Sequence, residues 1–205
     1  MLTISVEYLT GYAIATHPAD RDRPEWPPHP ARLFMALVAT LFETGSSNIE
    51  LKAVQWLEHI NAAPEIFASD ADHRSEVIQY VPVNDKLYPN GTSLPIMRRR
   101  QPRGFPRVRP HDAAAHFCWK TAKPSSEILT ALNELCAKVT RLGHSASLVH
   151  MWATDASPIT SPLHDHLVPD DLAFDYQLRI ITPGCLEELR RRFRAEDAAD
   201  YERRT

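Results

Sequence analysis

Proline decides where this chain can be regular. Seventeen prolines against six glycines favour long, stiff connections over flexible linkers. Pro30 suits the first turn of a helix, because the amide it lacks would have no partner there anyway. Pro64 breaks a second helical stretch, and Pro82 places the segment around it at a sheet edge or strand end. Five more prolines (Pro89, Pro95, Pro102, Pro106 and Pro110) fall between Asn84 and His111, where a long irregular loop is expected.

Between these breaks the apolar periodicity is clear. Leu2, Ile4, Val6 and Tyr8 alternate over residues 2–9, the period of a half-buried strand that could resume after a bend at Gly11. Leu33, Phe34, Leu37, Val38 and Leu41 recur at helical spacing and stop at Gly45. Leu51, Val54, Leu57 and Ile60 form a second helical stripe. Residues 75–83 and 113–119 read as strands. Ser125 caps a helix carrying Ile128, Leu132, Leu135, Val139 and Leu142, which Gly143 is expected to close. Residues 147–154 and 178–181 read as further strands, followed by a charged helix from about Gly184.

This order, β, α, (α), β, insertion, β, α, β, predicts an α+β chain with a ferredoxin-like (RRM-like) βαββαβ domain carrying a long Arg/Pro-rich insertion. The domain would span 1–154 with the insertion at about 84–111. Residues 155–171, rich in Pro, Asp, Ser and His, read as a linker. Residues 172–205 would begin a second module or form a C-terminal extension.

The net charge of −3 hides a sharp asymmetry. Lys86, Arg98, Arg99, Arg100, Arg103, Arg107 and Arg109 all fall between Lys86 and His111 with no acid among them, which leaves −10 on the rest of the chain. In MRRRQPRGFPRVRP the guanidinium groups can pair bidentately with phosphate, Phe105 offers a stacking face, and proline keeps the segment extended. Such a row fits single-stranded nucleic acid; a solvated loop, or a patch meeting an acidic protein, would look similar.

Ten histidines invite a search for a nuclease. His144, just after Arg141-Leu142-Gly143, and His29 among prolines could each serve as a base for metal-independent RNA cleavage. Each is equally readable as a capping or anchoring side chain. His164-Asp165-His166 has metal-like spacing without a further partner, and Asp20, Asp22 and Glu25 sit among arginines that suggest ion pairs. No phosphate-binding glycine loop, serine elbow or HExxH motif is present, so neither metal nor cofactor is expected. Cys118, Cys136 and Cys185 form no pairing pattern, which suits a reducing compartment. The start of the sequence has no secretory character, and no apolar run approaches a bilayer span; a cytoplasmic location is expected.

Five segments together resemble one family: ISVEYLTG, DRDRPEWPPHPARLFMALVA, Val81-Pro82-Val83-Asn84-Asp85, RRRQPRGFPRV and VTRLGHSASLV. They look like the N-terminal part of the type I-U (also called I-G) CRISPR-associated subunit. In that subunit a handle-binding module of the Cas-five kind is fused to a repeat-cleaving endoribonuclease of the Cas-six kind. The resemblance implies a subunit of a Cascade-like complex that grips the 5′ handle of a CRISPR RNA (crRNA). Its partners would be the backbone and large subunits and, through the complex, target DNA. It implies handle contacts at Arg98, Arg99, Arg100, Arg103 and Arg107; Phe105 and Arg109 belong to the same segment, and Arg141 and His144 would line the same surface. Family members are longer, so residues 172–205 would be the start of an endoribonuclease-type module or a C-terminal extension, without a second complete ferredoxin-like unit. The alternatives are a repeat-cutting endoribonuclease within this chain and a non-enzymatic protein-interaction module.

Overall fold

The computed structural model describes residues 1–45, 47–82, 100–170, 172 and 177–195. Among them are ten strands and four helices, arranged as a mixed α/β fold with antiparallel sheets.

The main sheet is built from β1 (Leu2–Tyr8), β5 (Glu65–Ser69), β8 (Ala114–Trp119), β9 (Val149–Thr154) and β10 (His164–Leu167), in the order β10-β5-β8-β1-β9. Every neighbouring pair is antiparallel. Register decides which side chains share a face. Ile4 lies opposite Phe117 and Ala153, and Val6 opposite Ala115 and Met151, so these residues point together into the core. Residues between them, Thr3, Ser5, His116, Trp152 and Thr154, face the other way.

Three helices cover the apolar face: α1 (Pro30–Glu43), α2 (Asn48–Glu58) and α3 (Ser126–Lys138). Leu33, Phe34, Leu37, Leu41, Val54, Leu132 and Leu135 join Leu2, Ile4 and Phe117 in one cluster. Each fully buried side chain of this kind contributes about 1.5–3 kcal/mol. Pro30 occupies the first helical turn as expected. Ser47 caps α2 by accepting from the Glu50 amide, and Ser125 caps α3 from the Ile128 amide. Helix α4 (Cys185–Ala195) is capped from outside, its Leu186 amide donating to the buried Glu58 carboxylate at 2.7 Å.

A second sheet of three strands, β2-β7-β6, is formed by β2 (Ala13–Ile14), β7 (Arg100–Pro110) and β6 (Ala71–Pro82). A small hairpin pairs β3 (Thr16–His17) with β4 (Asp20–Pro24).

Several sequence expectations change here. The stretch expected to be irregular to His111 is strand from Arg100 onward, since Pro102, Pro106 and Pro110 all fall on even positions and interrupt the ladder on one side only. Residues 83–99 lie outside the described residues. The main-sheet strand after α2 is Glu65–Ser69, while the 75–83 reading belongs to β6 of the second sheet. Helix α3 ends at Lys138: Val139 adopts extended backbone, and Leu142 is buried from the turn that follows. Within residues 155–171, His164–Leu167 pair with β5 as the sheet's edge strand. Residues 178–181 form no strand; Arg179 instead accepts the Ala31 amide with its carbonyl, and Leu178 and Ile181 pack on the core.

Candidate nucleic-acid interface

Strand alternation sorts the arginines. Arg103, Phe105, Arg107 and Arg109 occupy odd positions of β7 and therefore share one face, while Pro106, Val108 and Pro110 on the even face are buried. Arg103 and Arg109 are exposed, as is Arg100 at the start of the strand; Phe105 and Arg107 are half-buried. A bulge in β6 between Arg74 and Val77 keeps Arg74 opposite Arg107 and Gln79 opposite Arg103.

Two aromatic contacts brace the row. Ala13 and Ile14 of β2 pair with Val108 and Arg107, and the Arg107 guanidinium lies 4.9 Å from the centre of the Tyr12 ring. Next along the same face, the His144 ring packs on Phe105 with centroids 4.2 Å apart. The turn that presents His144 is locked to β2: its amide donates to Ile14 O at 2.8 Å, and its Nδ1 accepts from the Ala146 amide at 3.2 Å. Gly143 makes this approach feasible. It has φ +94°, and a Cβ there would stand 2.5 Å from Ile14 O.

The predicted site residues therefore divide. Arg103, Phe105, Arg107, Arg109 and His144 come together. Arg141 turns toward α1 and bonds Glu43 at 3.0 Å, away from Phe105's partner. Arg98 and Arg99 lie outside the described residues. Asp72, opposite Arg109, offsets part of the charge: it bonds Arg74 at 3.0 Å and sits 3.3 Å from His111 Nε2. Its carboxyl is held below the usual range, first by that histidine. Tyr12 and Asp72 were not singled out from sequence; only the strand pairing brings them to this face.

His29 is part of a structural cluster. Glu25, 2% exposed, is gripped by Arg32 through two bonds of 2.6 Å and accepts the His29 amide at 3.2 Å. Burial lowers the His29 pKa, against the pull of Glu25, and raises that of Tyr8 nearby. Asp20 and Asp22 play no part in that grip. His164-Asp165-His166 does not act as one ligand set either: His166 meets Glu65, 2.6 Å away, His164 faces Asp112, and alternation turns Asp165 to the opposite face. Among the described residues no group of three His, Cys, Asp or Glu side chains converges as a metal site. None of their helices is long and apolar enough to cross a membrane.

Comparison with protein-family models places the chain among the CRISPR-associated proteins. It belongs to the family described as "CRISPR-associated protein, GSU0054 family", whose model matches residues 3–199. No curated protein matches it. Membership supports a role in CRISPR-Cas defence and in association with other CRISPR components.

Proposed function

We propose that this chain binds single-stranded RNA, and specifically the 5′ handle of a crRNA, as a subunit of a Cascade-type effector complex. The carrying observation is the face of β7. Arg103, Phe105, Arg107 and Arg109 stand at two-residue intervals on one side of a strand braced by Tyr12 and His144. Alternate residues of a strand repeat every 6–7 Å or so, close to the phosphate spacing of an extended strand of RNA. Guanidinium groups at that interval can each take a phosphate while Phe105 supplies an aromatic edge.

The main sheet supports a ferredoxin-like reading. Strands β5, β8, β1 and β9 stand in the order a βαββαβ unit requires, with α1 and α2 between the first pair of strands and α3 between the second. On this reading β6 and β7 are the insertion between β5 and β8. The chain would be the handle-binding part of the type I-U/I-G fusion, with crRNA processing carried out beyond these residues.

Fluorescence anisotropy with a labelled crRNA handle tests the proposal. Arg103→Ala/Arg109→Ala should weaken binding at least tenfold, and Arg141→Ala, on a different side of the turn, should change it less than twofold. Equal affinity in the double variant and the parent would refute the β7 interface.

A further inference from the structure

The face of the main sheet turned away from the core carries a cleft that the arginine row does not explain. Its volume is about 530 Å³, within the range of about 300–1,000 Å³ typical of small-ligand sites. The floor is Ser5 of β1, His116 of β8 and Trp152 of β9, and the segment from Ala156 to His164 forms the opposite wall. Thr3 Oγ1 donates to Ala156 O at 2.8 Å and anchors that wall across the sheet.

Two imidazoles are left incomplete there. His116 is 3% exposed, and its Nδ1 pairs with Ser5 Oγ at 2.8 Å, while Nε2 makes no well-formed hydrogen bond and has only the Ile159 backbone of the opposite wall near it. The side chain of His164 is 1% exposed; its Nδ1 accepts from the Ser161 amide at 3.3 Å, and its Nε2 makes no hydrogen bond, with Asp112 Oδ2 3.5 Å away. The two rings lie 5.3 Å apart. Buried polar atoms are rarely left with only long or poorly formed bonds, and two such atoms in one cleft leave hydrogen-bonding capacity for a ligand. Trp152, half-buried beside His150 with ring centroids 5.2 Å apart, offers a flat wall.

The chemistry selects among ligands. A free anion is disfavoured, because Asp112 sits at the cleft and its carboxyl is held low, hence charged. Burial lowers the His116 pKa, so that ring is neutral near pH 7 and can donate or accept depending on tautomer. A planar heteroaromatic ring with both donors and acceptors on its edge suits these walls, and such rings are the unstacked bases of single-stranded RNA.

We propose that the cleft seats one base of the bound RNA, lying against Trp152 with its polar edge toward His116 and His164. This rests on the RNA-binding reading above and adds a second point of contact on the sheet face.

The test uses the 205-residue chain with the four uncharged nucleosides at millimolar concentration, read by saturation-transfer NMR, with indole as an aromatic ring lacking a base's polar edge. At least one nucleoside should bind saturably and outcompete indole. Trp152→Leu and, independently, His164→Gln should each reduce that binding at least fivefold, with circular dichroism confirming the fold. Arg103→Ala/Arg109→Ala should leave nucleoside binding within twofold while weakening RNA. No saturable nucleoside binding, or binding untouched by both cleft variants, overturns the cleft whatever the arginine result. Nucleoside binding in a chain that does not bind RNA would support the cleft and refute the RNA reading.

Discussion

Replacing Gly143 by alanine separates two costs that meet at one position. The first is conformational: φ is +94°, and an L side chain in left-handed backbone costs about 1–2 kcal/mol. Gly45 has nearly the same φ, +95°, with nothing within 4 Å of its would-be Cβ, so Gly45→Ala measures this term alone. The second cost belongs to Gly143 only. Its Cβ would lie 2.5 Å from Ile14 O and 3.1 Å from Ala15 Cβ, against roughly 3.5 Å for a comfortable contact. Both neighbours belong to backbone or its first carbon, so the turn must move off β2. The His144 amide bond to the same carbonyl, now 2.8 Å, would stretch, at about 0.5–1.5 kcal/mol. Gly143→Ala should therefore lose roughly 1.5–3.5 kcal/mol and Gly45→Ala about 1–2. Urea unfolding reads the difference as a midpoint lower by about 0.5 M at unchanged slope. Gly143→Ala should also weaken RNA binding, because His144 leaves Phe105. Equal destabilisation by the two substitutions would refute the close packing of this turn on β2.

Glu25→Gln leaves Arg32 without its carboxylate in a largely buried setting and should cost about 3 kcal/mol in urea unfolding. Phe117→Ala opens a cavity between β8 and the helices and should cost about 3–5 kcal/mol by the same assay. Stability should also fall with acid in two stages. His29 and His116 are held below the ordinary value of 6.5, chiefly by burial, so the unfolded chain takes up protons the fold resists and stability declines as pH drops through about 6.5. Glu50, Glu65, Asp72 and Asp112, all held low, add a further loss below about pH 4.5. Thermal melts from pH 8 to 4 should show both stages, and His116→Gln should flatten the first while sparing the second.

The periodic elements were legible because one face of each is buried. Leu2–Tyr8, the α1 stripe after Pro30 and the Ser125 cap all read directly from residue spacing. The five-residue strand Glu65–Ser69 was not, since two buried apolar side chains, Ile66 and Ala68, set no detectable period. The proline-rich run concealed β7 for a different reason: proline marks loops on average, yet β7's second neighbour, β2, pairs with only Arg107 and Val108, leaving the rest of that side open to proline. The arginine row was visible as charge, whereas its common face emerged only from the register with β6 and β2. The His116–His164 cleft joins residues 48 apart through two strands of one sheet, a proximity no local pattern encodes.

The central claim, that the β7 face grips RNA phosphates, is tested most directly by the salt dependence of binding to single-stranded crRNA handle. Each phosphate neutralised contributes about −0.7 to the slope of log affinity against log salt concentration, so three contacts from Arg103, Arg107 and Arg109 predict about −2 or steeper. Arg103→Ala/Arg109→Ala should make that slope shallower by roughly 1.4. A slope near zero, or one unchanged in the double variant, would contradict the claim.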